Sequence, residues 1–237
     1  MFHSRLPVSY YKEIAVISQS HRVFAVQHIE THRICVKKIM SVYDPAVYEQ
    51  LFRSPVRNLP RIYALYEADD TLTVIEEYIS GETLQELLDI CGPLPEKEVL
   101  AYGVMLCDIL TELHSQTPPI IHRDIKPSNI MLTEDGRLVL IDLNAARHFS
   151  PEAARDTRLL GTKGFAAPEQ YGFAASSPRT DLYALGRLMQ TLLAADSSSG
   201  VPVSEKADQV LKKCLRLDPA DRYESAAQLK KALLKLL

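Results

Sequence analysis

The sequence predicts an α+β protein of two lobes, a small β-rich lobe over residues 1–80 and a larger helical lobe over residues 81–237. Three observations predict it. Short β-branched runs separated by polar turns fill the first part. Apolar residues recur at helical spacing through most of the rest. The first glycine of the chain, Gly81, falls where one pattern gives way to the other.

The strand-like runs are YKEIAVI, VFAVQHI, RICVKKIM, RIYALYE and TLTVIEEYI. The turn joining the first two contains no glycine, although glycine reaches positive φ at no steric cost. Ala68-Asp69-Asp70 turns the last pair, and a helix interrupts the set. It starts at Asp44-Pro45, with Asp as N-cap and Pro at the first helical position, and runs through Ala46, Val47, Tyr48, Glu49 and Leu51. Beyond Gly81, a stripe of Val99, Tyr102, Leu106, Ile109, Leu110 and Leu113 marks a long helix from Pro95 to His114. A hairpin follows, IMLT and RLVLIDL, turned by Glu134-Asp135-Gly136. From Thr180 a helix carries Leu182, Leu185, Leu188 and Leu192 on one face; AADSSSGVPV breaks it, and helices run from Ser204 to Leu217 and from Glu224 onward.

Composition limits the function. Lys and Arg number 27 against 30 Asp and Glu, a net charge of -3, which argues against a nucleic-acid surface as the main business of the chain. Cys35, Cys91, Cys107 and Cys214 show no C-x-x-C spacing and read as reduced thiols. No apolar run is long enough to span a bilayer, and the opening MFHSRLPVSYYKE is too polar for a secretory signal, so a cytoplasmic location is expected. The oligomeric state is not legible.

A seam between two lobes is the natural place for a ligand cleft, and three polar constellations point there. In IIHRDIKPSNI, residues 120–130, apolar residues lead into a charged loop and out again. In LVLID, residues 138–142, an apolar strand ends in a carboxylate. A hairpin that starts at Asn129 and ends at Asp142 brings an amide oxygen and a carboxylate together, a pair suited to magnesium, which takes few protein oxygens and keeps water or phosphate for the rest. The strand ICVKKI, residues 34–39, carries two adjacent lysines, of which alternation sends one to the cleft and one to solvent.

Together these residues resemble a eukaryotic-type Ser/Thr protein kinase domain, similar in flavour to bacterial members. The resemblance covers nearly the whole chain and rests on HRDIKPSN at 122–129, IDLN at 141–144, GTKGFAAPE at 161–169, DLYALG at 181–186 and Arg222 in DPADRY. It implies the bilobal kinase fold, with ATP and magnesium as cofactors and a protein as the phosphoryl acceptor. Asp124 then matches the catalytic-loop base and Lys126 the lysine that follows the γ-phosphate. Asn129 and Asp142 match the magnesium ligands, and Lys37 the lysine on the α- and β-phosphates, with Glu49 as the helix glutamate that holds it. Adenine is expected between Ala25 and Cys35 above and Met131 below, on the backbone of Glu77 and Ile79. Glu76 falls behind the adenine and needs a partner: either Lys37 supplies it or the register is one residue off.

Ser150, Thr157 and Thr162 are the hydroxyls of the activation segment. Thr157 is the expected autophosphorylation site, with Thr162 near the catalytic loop, and Arg123 is of the type that meets a phosphate there. Two departures stand out. IDLN replaces D-F-G, with Leu143 keeping the apolar plug and Asn144 suited to a left-handed backbone. The phosphate loop carries Ser18, Ser20 and Val23 where glycines belong, so phosphates would be met by hydroxyls and Arg22 rather than by close backbone. That loop keeps a second reading in play, a pseudokinase acting as a nucleotide-binding or scaffold module.

Overall fold

Alternating apolar residues bounded by turn formers set the first sheet. In the computed structural model, which describes residues 7–150, 161–172, 174–194 and 203–237, it comprises β1 (Tyr11–Ser18), β2 (Val23–His28), β3 (Ile34–Met40), β4 (Ile62–Ala68) and β5 (Thr71–Glu77). The strands are antiparallel in the order β1-β2-β3-β5-β4. The β4–β5 turn places Asp69 and Asp70 at φ 48° and 58°, the doubly left-handed turn that matches strand twist. The glycine-free β1–β2 turn needs only Arg22 there, at φ 53°.

Helix α1 (Pro45–Arg53) begins as its sequence predicts, with the Asp44 carboxylate accepting from the Ala46 N–H at 3.1 Å. Val47, Tyr48 and Leu51 give it a buried face that packs on β4.

Gly81 sits at the junction for a steric reason: a Cβ there would lie 2.3 Å from the Leu132 carbonyl oxygen. It opens β6 (Gly81–Thr83) and α2 (Leu84–Cys91), two elements the apolar pattern alone does not reveal. Their signal is a capping box, in which Thr83 and Glu86 satisfy each other's backbone N–H groups. Next come α3 (Glu96–His114), β7 (Ile120–Ile121), β8 (Ile130–Thr133), β9 (Leu138–Leu140) and β10 (Arg147–His148). The helices α4 (Pro178–Leu192), α5 (Glu205–Cys214) and α6 (Ala226–Leu234) complete the chain. The α4 helix starts before Thr180, because Ser177 caps it and Pro178 fills its first position. The GTKGFAAPE stretch ends in a 3-10 turn, Pro168–Tyr171.

The main core runs from α1 and the inner face of β5 into α3, α4 and α6, and buries every apolar residue of the expected α3 stripe. A smaller cluster of Val26, Cys35, Ala64 and Ile75 lies on the outer face of the five-stranded sheet. At roughly 1.5–3 kcal/mol for each large aliphatic side chain withdrawn from water, the main core joins the lobes firmly. Gly186 permits close packing of α4 on α5, since a Cβ there would come within 2.6 Å of the Cys214 Cβ. No helix among the described residues is long and apolar enough to cross a membrane.

Candidate active site

The hairpin of β8 and β9 does what its sequence requires. Ile130 pairs with Leu140, and the Ile141 N–H donates to the Asn129 carbonyl at 2.8 Å, so Asn129 and Asp142 stand side by side. Asn129 commits its Nδ2 to Asp124, 2.9 Å from the carbonyl and 3.0 Å from Oδ2. That leaves its Oδ1, beside the Asp142 carboxylate, as the atom that could hold a hard cation.

Asp124 is the hub of the loop. Its Oδ2 accepts from Lys126 Nζ at 2.8 Å, and its Oδ1 accepts from the Thr162 hydroxyl at 2.7 Å. Lys126 Nζ also donates to Thr162 Oγ1 at 2.8 Å, closing a three-membered ring of contacts. Burial by itself would raise the Asp124 pKa; the hydrogen bonds from Lys126 and Thr162 and the charge of Lys126 outweigh it and hold the carboxyl below its ordinary range.

This loop is suspended from buried charge. Asp181 on α4, fully buried, accepts from the backbone N–H groups of His122 at 2.9 Å and Arg123 at 2.8 Å, and from His114 Nε2 at 2.8 Å. Arg123 and Asp142 take left-handed φ of 69° and 68°, a cost of roughly 1–2 kcal/mol each that such anchors must offset. Arg123 is buried, its Nε donating to Ser176 Oγ at 3.1 Å and its Nη1 to the Ala145 carbonyl at 3.4 Å. Glu169 and Arg222 form a buried two-pronged pair, 2.7 and 2.8 Å, beneath the GTKGFAAPE segment. Gln170 Nε2 ties that segment back to the Arg123 carbonyl at 2.9 Å.

The upper wall departs from the sequence expectation. On β3 it is Lys38 that enters the cleft, and its Nζ meets Glu76 Oε1 at 2.7 Å. Lys37 points to the opposite face, pairing with Glu13 at 2.7 Å and lying over the Phe24 ring. The assignment of Lys37 is therefore corrected to Lys38. The same alternation moves Cys35 into the outer cluster with Val26 and Ile75, so Val36 replaces it on the face that lines the cleft. Ile34, Cys35, Val36, Ile39 and Met40 are apolar on both faces of β3, which left its sequence without a period to choose a face.

Glu49 is also corrected: it pairs with Arg53 one turn on, away from the cleft. Its neighbour Tyr48 turns inward instead, buried, with its hydroxyl 3.3 Å from both Met40 Sδ and Asn144 Oδ1. Burial, then the charges of Glu76 and Asp142, pushes the Tyr48 phenol well above its ordinary pKa and keeps it a neutral donor. Leu143 is buried in the main core as expected. Asn144 does not adopt the left-handed backbone; Asp142 does.

Two adjoining cavities form the cleft. One, of about 330 Å³, is lined by Ile17, Val23, Val36, Lys38, Glu76, Met131 and Ile141, with the linker residues Glu77 and Ile79 at its edge. Val23 lines it where Ala25 was expected; Ala25 lies two residues further along the same face of β2, paired with Val36. The other, of about 410 Å³, brings Ser20, His21 and Arg22 of the β1–β2 turn over Asp124, Asp142 and Thr162. In that turn the hydroxyls of Ser18 and Ser20 lie 3.0 and 3.1 Å from His21 Nδ1. Thr157 lies outside the described residues.

A family model described as "Protein kinase domain" matches residues 13–200. The chain is similar to the serine/threonine-protein kinase PknB of Mycobacterium leprae, at 25% identity over 253 residues covering 90% of this chain and 40% of that protein. Serine/threonine-protein kinase PrkC of Bacillus subtilis is 30% identical over 71% of this chain and 30% of its own length. Serine/threonine-protein kinase B of Synechocystis is 31% identical over 84% of this chain and 41% of its own length. The chain thus spans less than half the length of these relatives.

Proposed function

The chain belongs to the protein kinase family, as a Ser/Thr kinase domain of the bacterial type, and on that premise we propose that it transfers the γ-phosphate of ATP, bound with magnesium, to hydroxyl groups of protein side chains. The observation that carries this reading is the Thr162 hydroxyl held 2.7 Å from Asp124 Oδ1 and 2.8 Å from Lys126 Nζ. A hydroxyl so placed has a base for its proton and a cation for the charge that develops beside it.

In the proposed reaction Asp124, kept ionised, orients the acceptor hydroxyl and takes its proton as the new O–P bond forms and the bond from the γ-phosphorus to the β–γ bridging oxygen breaks, releasing ADP. Lys126 offsets charge on the transferred phosphoryl group, whose loose transition state asks mainly for positioning and electrostatic stabilisation. Lys38 holds the α- and β-phosphates; Val36 and Met131 sandwich the base against the backbone of Glu77 and Ile79. Asn129 Oδ1 and Asp142 would hold magnesium, which would supply positive charge against the phosphates. Autophosphorylation, with Thr157 as the site, is part of the proposal, as is a protein substrate of unspecified sequence.

Incubation with radiolabelled ATP and magnesium tests it on the chain itself and on a generic protein acceptor. Asp124→Asn is expected to lower incorporation by about 10²–10⁴-fold, the usual worth of a positioned base. Equal incorporation in wild type and variant overturns the reading, and phosphopeptide mapping without Thr157 removes that site from it.

A further inference from the structure

In the kinase scheme a helix carboxylate holds the phosphate-binding lysine, yet α1 offers none to the cleft: Glu49 pairs with Arg53, and the inward position is a phenol, Tyr48. The cleft lysine has a carboxylate all the same. Glu76, on β5, lies diagonally across the ladder from Lys38, since Val36 pairs with Glu76 and Lys38 with Val74. Both side chains are turned to the inner face and nearly buried, at 12% and 7% exposure, with a contact of 2.7 Å.

We propose that Glu76 is the positioning residue for Lys38, so that the lysine is aimed at the nucleotide phosphates from within the sheet rather than by helix α1. The inference rests on the kinase reading. Three features support it. A carboxylate as buried as Glu76 requires a counter-charge, and Lys38 Nζ is the one in contact. Cross-strand geometry fixes the pair through the backbone hydrogen bonds that join β3 directly to β5, a link to the lysine's own strand that a helix-borne glutamate lacks. Tyr48, a neutral donor, places its hydroxyl between Met40 Sδ and Asn144 Oδ1, 3.3 Å from each, and so sets α1 against the segment carrying Asp142 instead of against the lysine. The electrostatics agree: burial would lower the Lys38 pKa, but the charges of Glu76 and Asp142 and the hydrogen bond to Glu76 leave it raised, and the ammonium stays charged. The consequence is a division of labour. The sheet aligns Lys38, while α1 braces the magnesium side of the cleft.

Calorimetric titration with adenosine and with a non-hydrolysable imido analogue of ATP, magnesium present, separates phosphate positioning from the shape of the base pocket. Glu76→Gln, which keeps the shape, is expected to weaken the analogue about tenfold and adenosine less than twofold; Glu49→Ala should change neither. Equal weakening of both ligands, or a larger loss of analogue in Glu49→Ala, overturns the assignment. A second pair moves the carboxylate back to the helix. Glu76→Leu should lose about 10²-fold in phosphoryl transfer through misplacement of the lysine. Adding Tyr48→Glu should recover at least about a tenth of wild-type transfer, the remaining loss being of the size an imperfectly placed group costs. A double variant that melts like Glu76→Leu but transfers no faster overturns the relocation. Wild type that binds the analogue and transfers nothing overturns the kinase reading, and the two titrations then still judge Glu76.

Discussion

On the C-terminal wall of the cleft, Lys126, Asn129 and Thr162 all touch Asp124, and the loop that carries Asp124 hangs from the buried carboxylate of Asp181. On the N-terminal wall the charged groups come in single pairs, Lys38 with Glu76 and Lys37 with Glu13, on the two faces of one sheet. The β1–β2 turn above them is held by a few exposed hydrogen bonds around His21. The difference follows from the work proposed for each wall. Proton and phosphoryl transfer tolerate errors of well under 1 Å, so their groups sit on a network that fixes each atom more than once. Holding a nucleotide requires charge of the right sign at the right height, and single pairs on a sheet provide it. One wall therefore admits few sequence solutions, and the other admits several.

The largest effect expected lies under the C-terminal wall. Arg222→Ala leaves the Glu169 carboxylate buried, with Thr180 as its remaining side-chain donor at 2.8 Å. Breaking one side of a buried pair costs about 3–5 kcal/mol, which urea unfolding will read directly. A loss below about 1 kcal/mol, the value of a surface pair, would erase the contrast between the two walls.

Next comes the choice of lysine. Lys38→Met should cost about 10²–10³-fold in phosphoryl transfer, as removal of a single well-aimed donor does. Lys37→Met should stay within a few-fold of wild type, because its pair with Glu13 is worth no more than about 1 kcal/mol. Steady-state turnover of both variants checks this; equal losses would remove the preference for Lys38, and a larger loss in Lys37→Met would return the site to Lys37.

The same contrast governs what can be read in the chain before its structure is known. HRDIKPSN, with a carboxylate at the end of the following strand, is legible because each residue has one task and the hairpin fixes their separation. Asp44-Pro45 announces α1 with equal clarity, since cap and first turn are local chemistry. The face of β3 is different: apolar residues on both sides remove the period that would choose between Lys37 and Lys38. The usable signal is Glu76, a carboxylate on the face of β5 that Leu72 and Val74 make apolar, which demands a cation, and its partner is one residue from the expected lysine. β6 and α2 escape notice because they are short, although Thr83 and Glu86 carry a capping signature.

The smallest effect concerns the turn without glycine. Ser18 and Val23 pair across the hairpin, and the left-handed residue is Arg22, so Val23 does not stand in for a glycine. It lines the base pocket beside Ile17 and Val36. The three positions where glycines were expected should therefore answer with opposite signs. Ser18→Gly with Ser20→Gly frees backbone to approach the phosphates and gives up only exposed hydrogen bonds to His21; the KM for ATP should fall by up to about threefold, under 1 kcal/mol. Val23→Gly removes apolar surface from the pocket and loosens β2, and KM should rise by about five- to tenfold, a loss near 1 kcal/mol for a half-buried valine. Steady-state KM values for the double and single variants decide the matter. If all three glycines tighten ATP alike, Val23 belongs to the phosphate loop after all; if the signs split, the roof of this cleft has replaced close backbone contact at two positions and reassigned the third to the base.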